Sequence, residues 1–165
     1  MMNPRRLLVA ASVGVAALLA SGCATTPAPS SITDTAARTP ALSTLARLVG
    51  EAGLADTLRG TGPFTVFAPT DDAFKALRAK TLEELSRDKE RLKALLTYHV
   101  IPGKVMAVDV KPGNAKTANG ANVALSKAGM FVAFDEALVT RADVQANNGV
   151  IHLIDKVIVP PAPRR

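Results

Sequence analysis

The sequence predicts an α+β domain, with several helices in the first half of a globule and short strands in the second. Apolar residues recur at helical spacing from Leu42 to Leu96. From Lys104 the pattern changes to short β-like runs broken by turn residues. The chain has no internal repeat, and its helical and strand patterns do not alternate as a parallel β-α-β sheet would require.

Thr39-Pro40 opens the first helix, with a capping hydroxyl followed by Pro in the first turn. Leu42, Leu45, Leu48 and Val49 give that helix one apolar face. Gly50 and Gly53 weaken it before a second helical stretch from Leu54 to Leu58. "RGTGP" is a turn, and "FTVFA" from Phe64 to Ala68 reads as a short buried strand that Pro69 ends. Thr70 caps the next helix, with Asp71 and Asp72 in its first turn, where the helix dipole favours negative charge. Neighbours in sequence at a helix start diverge on the surface, so these two aspartates do not read as an acid-base or metal pair. Thr81 to Glu84 fits a capping box that opens another short helix. Asp88 starts a further one, which must end before Pro102-Gly103. The runs "KVMAVDV", "NVALSK", "MFVAF", "ALVTRADV" and "VIHLIDKVIV" read as strands. Asn148-Gly149 reads as a sharp turn into the last of them, with Gly permitting positive φ.

The chain has 165 residues, enough for one ordinary domain and a short extra segment. It is 48% hydrophobic and 21% charged, which suits a packed core. It has no Trp and one Tyr, which argues against a sugar groove or a single-strand nucleic-acid platform, since both stack rings on aromatic faces. The net charge of +6 is diluted, because Arg5 and Arg6 sit in a segment expected to be removed and Arg164 and Arg165 form a loose basic tail over 162–165. No dense Lys/Arg stripe remains, so no nucleic-acid partner is expected.

The first stretch is an address. A basic start at Arg5 and Arg6, an apolar run from Leu7 to Ala20 and small residues before Cys23 form the three parts of a secretory signal over residues 1–22. The run is short for a membrane span. "LASGC" resembles a bacterial lipobox, which is cut just before a cysteine that then carries lipid; the position usually held by Leu is Ala20, with Leu19 one place back. Cys23 is the only cysteine and cannot staple its own fold, so lipidation accounts for it better than a disulfide, the alternative being a plain signal with an incidental cysteine. By resemblance to enterobacterial sorting, Ala24 after the cysteine favours the outer membrane if the cell has one. Residues 23–38 are small, polar and Pro-containing and read as a flexible tether, leaving 39–161 as the globule.

The globule resembles the fasciclin family. "GPFTVFAPTDDAF" (Gly62 to Phe74), "LLTYHVIPGKV" (Leu95 to Val105) and "ADVQANNGVIHLIDKVIVPP" (Ala142 to Pro161) are similar to its opening, middle and closing segments, in order and at matching spacing. The resemblance implies a compact domain in which a wedge of β-strands packs against several helices. It makes Thr70, Asp71, His99, Pro102, Gly103, Gly149 and His152 parts of the structural motif. It also implies a secreted or surface-tethered protein of the adhesion and matrix type. In some animal relatives a Tyr-His pair and an Asp-Ile pair are linked to integrin binding; Tyr98-His99 and Asp143-Val144 stand at the matching positions. The turn that often carries Asn-Gly in relatives is Asp135-Glu136.

The two histidines are the main chemical question. An imidazole at a buried junction donates from one nitrogen and accepts at the other, and so ties a loop to a strand. A metal site would need three or four clustered ligands, and the chain has neither HxH nor HxxE spacing. A hydrolase would need a serine near a histidine; Ser43, Ser86 and Ser126 are available, but none lies in a GxSxG context. No cofactor is expected.

The leading expectation is a non-enzymatic interaction module, moored to a membrane through Cys23 and facing the periplasm or the exterior. Its partner would be an envelope or extracellular matrix protein or polymer, contacted near Tyr98, His99, Asp143, Val144, Asn147 and Asn148. One alternative is a carrier of a small apolar ligand, with a pocket lined by Leu92, Leu96, Phe131 and Val132. The other is a hydrolase or peroxidase using His99 or His152.

Overall fold

A computed structural model describes residues 30–160, leaving aside the side chains of Ala79 and Lys80. Six helices, α1 (Ile32–Arg38), α2 (Ser43–Glu51), α3 (Ala55–Arg59), α4 (Asp71–Ala76), α5 (Ala79–Arg87) and α6 (Lys89–Tyr98), precede most of the strands, with a 3-10 turn at Pro40–Leu42. The strands are β1 (Phe64–Pro69), β2 (Val100–Pro102), β3 (Gly113–Lys116), β4 (Asn122–Ala128), β5 (Phe131–Phe134), β6 (Ala137–Ala146) and β7 (Gly149–Ile154). They form one sheet in the order β2-β1-β7-β6-β5-β4-β3. Only β1 and β7 run parallel. The predicted α+β class is the one observed.

The parallel pair β1 and β7 is largely apolar because both of its faces are covered, with Thr65 and His152 as its buried polar members. Alternation along β1 divides the core. Val66 and Ala68 join the helical side with Leu45, Leu48, Leu92 and Leu96, whereas Phe67 joins Tyr98, Val123, Val132, Phe134 and Ile154 on the other.

The α4 and α6 caps form as expected. Thr70 Oγ1 accepts from the Ala73 N–H, and the Asp88 carboxylate accepts from that of Arg91. Asp71 does more than complement a dipole. Its carboxylate accepts from Ser43 Oγ at 2.6 Å and from the Thr44 N–H at 2.8 Å. It therefore caps α2, which has no cap of its own, from another helix. Burial raises the Asp71 pKa, but the Ser43 and Thr44 hydrogen bonds and the Lys75 charge outweigh it and leave it below the usual value. Asp72 turns away to pair with Lys75.

Three local expectations need correction, and the Asp135-Glu136 turn takes a defined form. Thr81 lies inside α5, which begins at Ala79 without a side-chain cap, so the proposed capping box does not open that helix. "KVMAVDV" is not a strand; it is a loop whose backbone bonds go to side chains of neighbouring elements. The Asp135-Glu136 turn closes with Asp135 at φ 56°, a left-handed conformation that Asp tolerates. Gly149 is not left-handed; it is needed because a Cβ there would overlap the Phe64 carbonyl oxygen and crowd Ile32 Cδ1.

The largest correction concerns the tether. Residues 31–38 belong to the globule: Ser31 caps α1 through its Oγ and the Asp34 N–H, and Ile32 and Ala36, one turn apart, are buried in the core. Small and polar composition hid a helix that needs only two apolar contacts and a cap to dock. Cys23, the rest of the tether and the 162–165 tail lie outside the described residues.

Replacing Ile32 with Ala should therefore lower the unfolding free energy by about 2–4 kcal/mol, since it deletes a buried side chain that a tether would not possess. Urea denaturation should show a lower midpoint at unchanged slope; an unchanged midpoint would return α1 to the leash.

Candidate functional site

His99 terminates α6 and His152 sits mid-strand in β7. Both are buried, at 1% and 0% exposure. The His99 ring lies 2.9 Å through Nδ1 from the Leu95 carbonyl, and its Nε2 faces the Ile158 N–H at 3.2 Å. An N–H can only donate, so Nε2 is bare and Nδ1 carries the proton. His152 has the opposite tautomer: Nδ1 accepts from the Asp143 N–H at 3.2 Å, and Nε2–H donates to the Val105 carbonyl at 2.9 Å. All four ring nitrogens thus have main-chain partners. The rings also pack as apolar bodies. Phe67 and Phe134 stack at 4.3 Å, His152 lies against Phe67 at 5.2 Å, and His99 stacks on Phe134 at 5.6 Å.

The His152 bonds hold the loop after β2 against the sheet. Asp143 makes this possible: it adopts φ 57° at an irregularity in β6, aims its N–H at the imidazole and accepts the Ala107 N–H on its carboxylate at 2.8 Å. Thr65, fully buried in β1, completes the fastening. Its hydroxyl donates to the Gly103 carbonyl and accepts from the Val105 N–H. Asn148 is a second clamp. Its Oδ1 accepts from the Ile32 N–H, and its Nδ2 donates to the carbonyls of Leu58 and Gly60. One amide therefore joins α1, the end of α3 and the β6–β7 turn.

An apolar cavity of about 230 Å³ lies beside this clamp, between α1, α2, α3 and the central strands. Ala36, Leu45, Ala46, Val49 and Leu96 contribute to its wall, with Asp34 and Arg59 among its polar residues. These two form an ion pair at 3.5 Å. A second, open groove of about 530 Å³ runs past Arg59, Lys104 and Asn147. Among the described residues no cluster of His, Cys, Asp and Glu could hold a metal ion.

The model of the fasciclin domain matches residues 40–160. The chain belongs to the fasciclin family. It is 44% identical to protein sll1483 of Synechocystis over 84% of this chain and 78% of that protein. It is 36% identical to the cell surface glycolipoprotein MPB83 of Mycobacterium bovis, over 77% and 59% respectively. Human periostin is 32% identical over 81% of this chain, which corresponds to 16% of periostin. Among solved structures, a domain pair from the insect cell adhesion molecule fasciclin I aligns at a TM-score of 0.62 and 18% identity, covering 79% of this chain and 51% of that one.

Within this fasciclin domain, several residues read from sequence as partner contacts are not on the surface. Tyr98 is buried, its hydroxyl donating to the Asn122 carbonyl at 3.3 Å and its pKa raised by burial and by the Asp135 charge. Tyr98 and His99 therefore offer no side-chain surface to a partner. Asp143 and Val144 are half-buried, and the Asp143 carboxylate is already engaged. Asn147 is exposed, whereas Asn148 is committed to its clamp. Pro102 ends β2 at the surface, and the Gly103 N–H donates to Pro63. The expected apolar pocket is displaced. Of its four predicted residues only Leu96 lines the cavity; Leu92 and Val132 are core, and Phe131 is exposed on the opposite side of the sheet order. Sequence reasoning missed Thr65 and the Asp143 backbone, whose roles depend on contacts 40 and 9 residues away.

Burial pushes the His99 pKa from 6.5 down to about 4, against the opposing pull of the Leu95 carbonyl. Burial lowers that of His152 as well, opposed by the Val105 carbonyl and the Asp143 charge. Protonation would set a second N–H against the Ile158 or Asp143 donor. The unfolded chain therefore binds protons that the folded one refuses, and stability is lost as pH falls from about 6.5 towards 4. His99 alone should account for a loss on the order of 3 kcal/mol in that window. Urea midpoints at pH 7, 5.5 and 4 (chosen at roughly even spacing across the His range) should fall in that order, and His99→Phe should flatten the slope.

Proposed function

We propose that this fasciclin domain is a non-enzymatic interaction module, displayed in the cell envelope and moored by lipid on Cys23. The observation that carries this reading is that both imidazoles are buried and bonded to main chain on every ring nitrogen. Neither histidine touches a serine: Ser43 bonds Asp71, and Ser86 bonds the Leu82 carbonyl. What the domain offers is its outer surface. Two relatives support the setting, since MPB83 is by name a cell surface glycolipoprotein and fasciclin I a cell adhesion molecule. The module would meet an envelope or matrix protein or polymer on an exposed face, and no nucleic acid. Among the described residues no helix is long and apolar enough to cross a membrane. The mooring in this reading is Cys23, on the strength of the lipobox-like "LASGC" that ends in it. A diacylated and further acylated cysteine supplies more than one chain, as stable anchoring requires. Cys23→Ser should move the protein from the detergent phase to the soluble fraction; unchanged partitioning would remove the anchor.

The apolar cavity favours a second reading, a carrier of a small apolar ligand. Its volume of about 230 Å³ suits a single ring or a short acyl segment. Ala46, half-buried in its wall, is the position at which to fill it. The wild-type chain should bind a single-ring apolar probe such as toluene, read as a rise in the unfolding midpoint, and Ala46→Phe should abolish that binding. An equal rise in both would place the probe elsewhere, and no rise in either would remove the carrier.

A further inference from the structure

One end of the sheet gathers features that neither the histidine braces nor the cavity uses. The strand pairings place the β4–β5 turn, the β6–β7 turn, the start of β1 and the loop after β2 at the same end. Contacts run across this end without a break. The Asn147 N–H donates to Ser30, Lys104 reaches Gln145, Ala107 bonds Asp143, and Lys127 Nζ donates to the Val108 carbonyl at 2.6 Å. The same end carries the most exposed large apolar side chains among the described residues: Met130 at 96%, Val108 at 74% and Phe131 at 66%. Met130 and Phe131 form the tip of a convex hairpin, so they suit insertion into a soft phase better than cover by a rigid partner. Lys127 bonds the loop that carries Val108, and the exposed Lys104 and Lys111 bracket that loop in sequence, against Asp109 and an Asp143 already bonded to main chain.

The chain enters the domain at this end, and the length of what precedes it is informative. Because α1 belongs to the globule, the leash from Cys23 ends at Ser30, not at Thr39. Seven residue steps (30 − 23) reach at most about 25 Å, where sixteen would have reached about 55 Å. A lipid on Cys23 therefore holds the Ser30–Asn147 end close to the bilayer.

We propose that this end of the sheet docks onto the phospholipid bilayer, with Met130, Phe131 and Val108 entering the interfacial layer and the lysines meeting anionic headgroups. The inference rests on the anchoring of Cys23. It assigns the groove beside Lys104 and Asn147 to the lipid side and leaves the far end, around Asp135-Glu136, and the helical layer to other partners.

An acylated Cys23 has no free thiol, so a cysteine introduced elsewhere takes a fluorophore alone. Full-length Met130→Cys and Glu136→Cys, expressed in a lipoprotein-processing host, are labelled and reconstituted in phosphatidylethanolamine–phosphatidylglycerol vesicles containing headgroup-quencher lipid. Phase partitioning establishes acylation separately. Position 130 should be quenched several-fold more than position 136, and Phe131→Asp in the Met130→Cys background should reduce that quenching. Equal quenching at the two positions in the acylated protein overturns the docking and leaves the anchor intact. A chain recovered without lipid overturns both.

Discussion

The neutral imidazole of His152 is the constraint on which the rest of the structure depends. It stands in β7, where it faces Asp143 on one side and Val105 on the other, and its ring fills space against Phe67. A carbon ring of the same size would leave a buried N–H and a buried carbonyl without partners, at a cost comparable to the loss of packing itself. A charged ring would oppose the Asp143 donor. Only an uncharged imidazole in one tautomer satisfies strand, bulge and loop together. His99 solves the same problem with the other tautomer at the end of α6, and Phe134 stacks on Phe67 and on His99 to link the two. The reactive atoms most often used for chemistry are thereby committed to holding the chain in place.

Around this centre, polar side chains act across long sequence distances. Asp71 caps a helix that begins 28 residues earlier, and Asn148 fixes the end of a helix and the start of another. Each uses a carboxylate or an amide to satisfy main-chain groups that helix termini leave open. The outcome is an interior in which no buried side-chain polar atom lacks a partner among the described residues.

The architecture was largely legible because it follows from local rules. Apolar spacing marked α2 and α6, Thr70 and Asp88 marked the caps of α4 and α6, and the β-branched and aromatic runs marked β1, β4, β5 and β7. What stayed hidden depends on tertiary partners. α1 has too few apolar residues to announce itself, and Ile32 is informative only once the close approach of Gly149 to β1 is known. The loop from Lys104 to Val110 alternates like a strand but has no strand to pair with, so its bonds go to Thr65, Asp143 and His152. β2 and β3, only three and four residues long, carry no period of their own. The family resemblance put the two histidines in the structural motif, but their two tautomers required the geometry.

The parallel seating of β7 beside β1 has a kinetic consequence. Phe67 and His152 are partners in register although 85 positions separate them (152 − 67), and β7 is also the strand to which β6 must pair. High contact order of this kind delays closure of the fold until the C-terminal segment is present. The leading part of the chain, however early its helices form, cannot lock the core alone; the fold sets only once its last strand is in place.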